Sequence, residues 1–222
     1  MPQDFFVTSD THFWQKKALQ FFPFRAFLWN SIEDMNEGLI EEWNSAVSKG
    51  DLVYHLGDFS FGDARQTVEI IKRLNGTIHL IRGNHDKVMF HGDVRKLLAD
   101  VKERLGVSVH DPEAFQGLRY MQFDHYAPRC WNRSHYESWS VHGHSHGDLP
   151  QHPRIPSIDC GIDAHFKRIG HHRPMSFEEI KIEMKDRDWE GVRDEPPDYR
   201  SLYAEINAFN YDEEDEEEYI VL

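Results

Sequence analysis

Cysteine is scarce in this 222-residue chain: only Cys130 and Cys160 occur. Their spacing makes neither a CxxC pair nor a disulfide framework, which fits a reducing cytoplasm. Long hydrophobic runs are missing too. No window approaches the roughly 18 consecutive apolar residues of a membrane helix, so no membrane association is expected. The opening MPQDFFVTSD has no charged segment leading into an apolar run, and no secretory signal is expected. Basic charge is in deficit, with 25 Lys and Arg against 39 Asp and Glu and a net charge of −14. That balance lacks the broad basic face of a non-specific duplex binder, so strong binding of that kind is not expected.

The acidity is local. Residues 186–222 carry 14 acidic and 3 basic side chains, which leaves a nearly neutral body where a cationic centre could form a local anion site. The chain reads as one domain over 1–185 and an acidic C-terminal extension over 186–222. In the extension Leu202, Tyr203, Ile206 and Phe209 have helical spacing, while NYDEEDEEEYIVL has the composition of a solvated, mobile end. Nothing in the pattern sets an oligomeric state.

Within the body, apolar periodicity and punctuation predict alternating strands and helices. FFV (5–7) opens as a strand. Ser31 to Asp34 form a capping box, followed by Met35, Leu39, Trp43 and Val47 at helical spacing and a stop at Lys49-Gly50. LVYHL (52–56) is the next strand. Val68, Ile71 and Leu74 mark a helix closed by Gly76, and IHLI (78–81) is the third strand. Asp93 is expected to cap a helix bearing Leu97, Leu98, Val101 and Leu105, stopped at Gly106. Strand-like runs follow at 118–123, 138–141 and 157–162, and Ser176 to Glu179 cap a last short helix. Early βα alternation followed by successive strands predicts a layered α/β fold with a mixed sheet.

Fifteen histidines are present, and their placement carries more than their number. VHGHSHGD (141–148) puts three of them on alternate positions between glycines. Other predicted strands end the same way. FFVTS runs into Asp10-Thr-His12, LVYHLG into Asp58, IHLIRG into Asn84-His85-Asp86, RYMQFD into His125, and SWSVHG into His144-Ser-His146. Ligand sites of open α/β sheets lie beyond the carboxyl ends of strands, so five polar strand ends predict one site. Carboxylate, imidazole and an amide oxygen without thiolate favour Mn, Fe, Zn or Ni over a structural zinc. Seven candidate ligands exceed one tetrahedral ion and suit two ions sharing a carboxylate, a pair about 3.5–4 Å apart that can drive in-line phosphoryl displacement.

Asp10-x-His12, Gly57-Asp58, Gly83-Asn84-His85-Asp86, His125 and Gly143-His144-x-His146 resemble, in order, the five motifs of the calcineurin-like metallophosphoesterase superfamily. VYHLGDFSFG, IHLIRGNHDK and RCWNRSHYESWSVHGHSHG are similar to its small bacterial and phage-type members. The resemblance spans residues 5–183. It departs at the fourth block, where Asp124 precedes His125 in place of the commoner serine or glycine. The resemblance implies two mixed β-sheets packed as a sandwich flanked by helices, a four-layer fold. It implies two divalent metal ions, Mn favoured, with Asp10, His12 and His146 on one, Asn84, His125 and His144 on the other, and Asp58 bridging. It also implies attack on phosphorus by metal-held hydroxide, His85 as general acid toward the leaving alkoxide, and Asp86 orienting His85.

Arg129, Asn132, Arg133 and His135 sit in a Trp- and Tyr-interleaved segment between His125 and His144. They are expected to form a substrate rim that contacts phosphate and stacks on a ring, with an ordinary polar loop as the alternative. His55, His79 and His110 are expected to be packing or surface histidines, His171 and His172 loop residues, and Asp159 and Asp163 turn holders. A metallo-β-lactamase-like hydrolase would require an HxHxDH run, and an HNH-type nuclease a ββα-metal arrangement; neither is present. The expected function is hydrolysis of a small phosphate ester, with nucleotide-type phosphodiesters favoured. A phosphomonoesterase or protein phosphatase of the same fold, or a non-catalytic metal-binding interaction module, is the alternative.

Overall fold

Short β-branched and aromatic runs form the strands, and helices cross between the early ones. The computed structural model describes residues 4–150, 155–185 and Arg187. The rest of the acidic extension, with Leu202, Tyr203, Ile206 and Phe209, lies outside the described residues. The chain runs β1 (Phe5–Thr8), α1 (Ala18–Phe21), α2 (Pro23–Leu28), α3 (Ile32–Ala46), β2 (Leu52–His55), α4 (Ala64–Arg73), β3 (Thr77–Ile81) and α5 (Gly92–Arg95). It continues through β4 (Asp100–Lys102), β5 (Leu105–His110), β6 (Leu118–Phe123), β7 (Trp139–His142), β8 (Ser157–Asp159), α6 (Ile162–Ile169), β9 (Met175–Ser176) and α7 (Phe177–Met184).

Two mixed sheets result. One has the order β4-β3-β2-β1-β9, parallel except for β9; the other has the order β5-β6-β7-β8, parallel except for β5. Alternation along each strand divides the core in two. Phe6, Val53, Ile78 and Leu80 pack beneath α3 and α4, against Met35, Leu39, Trp43, Ile70 and Ile71. Val7, Leu56 and Ile81 face the other way, against Met121, Phe123, Val141 and Ile158 of the second sheet. The expected α/β fold of two mixed sheets with helices is what the chain forms.

Register then places the site. Thr8 pairs with His55 and His55 with Leu80, so the carboxyl ends of β1, β2 and β3 are level. Phe123 pairs with Val141 and His142 with Asp159 in the other sheet. The loops leaving all these strands therefore open on one edge of the molecule.

The helix expected from Asp93 to Gly106 is a correction. Only the single turn of α5 forms, and its N-cap is His91. Backbone pairing wins beyond it, because Asp100, Val101 and Lys102 extend the parallel sheet beside His79, Leu80 and Ile81. From Leu105 to His110 alternate residues are half-buried and exposed, a strand periodicity. The expected run 157–162 also stops at Asp159, since Gly161 is already the N-cap of α6. The Ser31 box is offset. Ser31 accepts from the Asp34 N–H, while the Asp34 carboxylate accepts from the N–H of Asn30.

The last helix starts as expected, with a reciprocal box between Ser176 and Glu179. Arg173 adds an ion pair to the same carboxylate. Burial would raise the Glu179 pKa, but the bonds from Arg173 and Ser176 prevail and hold it at about 2. A depressed carboxylate stabilises the fold above its unfolded value, here the ordinary 4.5, and that stability is lost as pH falls through the folded value. Glu179→Gln is therefore expected to melt lower than the parent at pH 7, with the gap narrowing as pH falls from 4.5 toward 2. A gap that does not change over this range in thermal melts contradicts the assignment.

Candidate metal centre

The loops after β1, β2, β3, β6 and β7 supply the candidate ligands, and backbone bonds hold those loops in contact. Asp10 N–H donates to the Gly57 carbonyl, His12 N–H to Asp58 and Phe13 N–H to Phe59, so the first two strand ends stay zipped beyond the sheet. Thr11 Oγ1 donates to the Phe59 carbonyl and lies 3.0 Å from His55 Nε2. With its own proton committed, Thr11 accepts from His55, whose Nδ1 accepts from the Gly57 N–H. His55 is thus a packing histidine, as expected. Burial pushes its pKa down to about 3 and keeps it neutral.

Two clusters form. Asp10, His12 and His146 bring ligand atoms within 4.8 Å of one another, and Asp58, His125 and His144 do the same. Asp58 touches both groups, with Oδ2 3.6 Å from His12 Nε2 and Oδ1 3.7 Å from His125 Nε2. Asn84 joins the second cluster, its Oδ1 3.0 Å from His125 Nε2. Asp10, His12, Asp58 and His125 are buried and make the floor, while Asn84, His85 and His144 are exposed at the mouth.

The arrangement fits cations. Asp10 Oδ1 and both ring nitrogens of His12 are buried without a hydrogen-bond partner, a costly state for a polar group. His125 Nδ1 lies 2.7 Å from the Leu56 carbonyl. A carbonyl only accepts, so the proton sits there and Nε2 presents a lone pair to the Asn84 oxygen. Two acceptors facing each other are resolved by a positive ion between them. Backbone strain points the same way. Asp10, His12, Asp58, His144 and His146 all have φ between 49° and 68°, a left-handed region that side chains rarely occupy without a functional constraint.

Electrostatics keep Asp10, His12 and His144 in binding-competent forms. Burial would raise the Asp10 pKa, yet the His12 imidazole beside it and the nearby His146 hold it below the ordinary carboxylate range. Burial lowers the pKa of His12 against the pull of Asp10, and lowers that of His144 with help from His125. Neutral imidazole is the form that binds metal.

Close approach explains the glycines. A Cβ on Gly83 would overlap the Asp58 backbone N–H and carboxylate, and one on Gly143 would stand 2.5 Å from Asp10 Oδ2. The GNHD and GHxH spacings thus let one loop lie flat on another.

The remaining expected site residues are distributed unevenly. His85 is at the mouth, its N–H donating to Asp58 Oδ1 and its Nε2 3.9 Å from Asp58 Oδ2. Asp86 makes a different contact from the one expected of it. Its two oxygens accept from the N–H groups of Asp58, Phe59 and Gly83, and no bond to the His85 ring is among those described. Arg129, Asn132, Arg133 and His135 are all exposed. Asn132 donates to the Tyr120 hydroxyl and Arg133 lies over the Tyr120 ring, three residues back along β6 from its ligand-bearing end.

Several residues at the centre carry no sequence signal. Tyr126 donates to Asn84 Oδ1 and packs edge-on against His144. Phe61 stacks on His12 and lies 4.7 Å from the His85 ring, and Phe22 stacks on His146. Asp159 does hold a turn, accepting from Ser145, Gly147 and Gly161. Asp163 instead pairs with Arg25 and His146, and His172, a loop residue as expected, is buried beside it. His79 pairs with Asp100 and His171 with Glu42 at the surface.

The sequence profile of the calcineurin-like phosphoesterase family matches residues 4–212 of the chain. An uncharacterized protein of Methanocaldococcus jannaschii is 29% identical over 178 residues, 79% of this chain and 88% of that protein. The Gene 66 protein of Mycobacterium phage L5 is 24% identical over 180 residues, 71% of this chain and 85% of its own length. Among solved structures, a protein of unknown function from Aquifex aeolicus aligns with a TM-score of 0.53 at 19% identity, covering 81% of this chain and 98% of that one. That last likeness concerns the fold.

Asp86 gives this geometry its first test. Asp86→Ala leaves three buried N–H donors of two loops without an acceptor, each costing about 1–3 kcal/mol. Denaturant melts are expected to show a loss on the order of 3 kcal/mol or more. A change within about 0.5 kcal/mol, as at an ordinary surface position, contradicts the bridging role.

Proposed function

We propose that this chain, which belongs to the calcineurin-like phosphoesterase family, is a two-metal phosphodiesterase acting on small nucleotide-type esters. Metal-dependent phosphoester hydrolysis is the family's general chemistry, and the preference for diesters is the finer reading. One observation carries the proposal. The Asp58 carboxylate sets one oxygen toward a histidine of each cluster, which is the disposition of a ligand shared by two ions. In this reading Asp10, His12 and His146 hold one divalent cation, and Asn84, His125 and His144 hold the other. When bound, such a pair supplies a nucleophilic water at neutral pH and neutralises the phosphate oxygens. The oxygen- and nitrogen-donor set without sulfur suits Mn, Fe, Zn or Ni, and of these we favour Mn.

The chain's own residues then divide the work. The buried floor fixes the phosphate end of the substrate. His85, exposed at the mouth and tethered through its backbone to Asp58, can reach a leaving oxygen and exchange its proton with solvent. Asp86 keeps the His85 loop against the Asp58 loop. Arg129, Asn132, Arg133 and His135 line the exposed loop that follows His125, and we assign them to the outer part of the ester, beyond the reacting phosphate. No helix among the described residues is long and apolar enough to cross a membrane. Cys130 and Cys160 are both free thiols, which supports a reducing, cytoplasmic setting.

Chelated protein is expected to be inactive on bis-p-nitrophenyl phosphate and to recover with Mn or Ni. Asp58→Ala is expected to stay inactive after metal is restored. Full turnover of that variant in a chelator overturns the metal mechanism. Parallel assays on cyclic nucleotides, dinucleotides and phosphomonoesters separate the diester reading from the monoester one.

His85 is tested by leaving group. General-acid help is worth about 10²–10⁴-fold when the leaving group is a poor one. His85→Ala is therefore expected to lose activity in about that range on alkyl diesters and much less on p-nitrophenyl esters. Equal losses on both would assign His85 to positioning instead.

A further inference from the structure

Arg25 is a fully buried guanidinium on a short helix that the family motifs do not touch. Its Nε donates to Asp163 Oδ1 at 2.8 Å and its Nη2 to Asp163 Oδ2 at 2.6 Å, a bidentate fork. The same guanidinium donates to the backbone carbonyls of Asp10 (2.6 Å) and Thr11 (2.9 Å), and it lies over the ring of Phe22. Asp163 Oδ2 in turn stands 2.6 Å from His146 Nδ1. A carboxylate only accepts, so that contact places a proton on Nδ1, and in the neutral ring it leaves the Nε2 lone pair free. Phe22 stacks on the same imidazole with centroids 4.3 Å apart.

The second cluster is held differently. His125 is oriented by the Leu56 backbone carbonyl, and no contact of Arg25 or Asp163 with Asp58, Asn84, His125 or His144 is among those described. The His146 ring thus rests on a buried ion pair and the His125 ring on main chain, while the His144 N–H, donating to Asp10 Oδ2, links the two clusters.

We propose that Arg25 and Asp163 are positioning residues for the cluster of Asp10, His12 and His146, and that removing them weakens metal binding there while sparing the other cluster. The proposal rests on the two-cluster reading given above. Arg25 fixes the left-handed backbone carrying Asp10 and His12 through two carbonyls. Through Asp163 it also fixes the tautomer and direction of His146. One side chain thereby organises three ligands, as outer partners of ligating histidines commonly do.

The test is calorimetric titration of metal-free protein with Mn²⁺ alone. Asp163→Asn is close to isosteric, but one amide oxygen cannot serve both carboxylate positions. Placed at Oδ1 it turns the NH₂ toward His146 Nδ1, and placed at Oδ2 it turns the NH₂ toward the Arg25 Nε–H, so either orientation breaks one link of the brace. The expected result is one Mn²⁺ equivalent weakened by about 10–100-fold and the other changed by no more than about 3-fold. Arg25→Lys keeps the charge but loses the fork, and is expected to show a smaller loss at the same equivalent. A folded Asp163→Asn protein with both equivalents at parental affinity, or with both weakened alike, overturns the proposal.

Removing one partner of a buried pair can unfold a protein, so a second measurement uses the parent chain. Nitrogen-15 NMR of the metal-free protein reads the His146 tautomer directly. At a pH high enough for the ring to be neutral, a proton on Nδ1 is expected, and a neutral ring with its proton on Nε2 overturns the brace whatever the variants do. If the parent chain binds no Mn²⁺, the two-metal reading fails, and the tautomer still decides on Arg25 and Asp163 separately.

Discussion

Buried carboxylates that accept backbone N–H groups from neighbouring loops hold the centre of this protein together. Asp10 accepts from His144, Asp58 from His85, and Asp86 from Asp58 and Phe59. Asp159 accepts from Gly147. These bonds tie the ends of β1, β7 and β8 together and the ends of β2 and β3 together, and the backbone bonds from Asp10 and His12 to Gly57 and Asp58 join the two sets. Bonds to a charged acceptor are stronger than neutral ones, and leaving such N–H groups buried and unpaired would cost the full desolvation penalty. The ligand set depends on this stitching, because an imidazole can be placed no better than the loop that bears it.

The stitching has a cost that a cation offsets. It gathers four buried acidic side chains, Asp10, Asp58, Asp86 and Asp159, at one edge of two sheets. Five of the candidate ligands sit in left-handed backbone, and Asp10 and His12 keep buried polar atoms without partners. Each feature would be unfavourable in a site built only for stability. Together they describe a frame prepared for positive charge, with a buried floor and an exposed mouth at Asn84, His85 and His144.

Residue identity at strand ends revealed more in the sequence than helical periodicity did. The blocks at Asp10, Asp58, Asn84, His125 and His144 were legible because each follows an apolar strand, and those at Asp58, Asn84 and His144 carry glycine where loops must touch. The long helices at Met35 to Trp43 and Val68 to Ile71 were legible because their apolar residues recur at the helical repeat. The stretch from Leu97 to Leu105 has nearly the same spacing, yet it forms strands because β3 offers an unpaired parallel edge. Arg25 and Asp163 were not legible. They are 138 residues apart, neither belongs to a motif, and only the fold brings a guanidinium from one end of the domain to a carboxylate near the other. Asp86 shows a subtler limit: its place in the GNHD block was plain, but whether its carboxylate faces a ring or three N–H groups is decided by the turn.

The central claim is that two divalent ions share Asp58. Crystals soaked in Mn²⁺ and measured at the manganese absorption edge test it most directly. The account predicts two anomalous peaks about 3.5–4 Å apart, one beside Asp10, His12 and His146, one beside Asn84, His125 and His144, with the Asp58 carboxylate between them. A single peak, or two that leave Asp58 on one ion only, would contradict it.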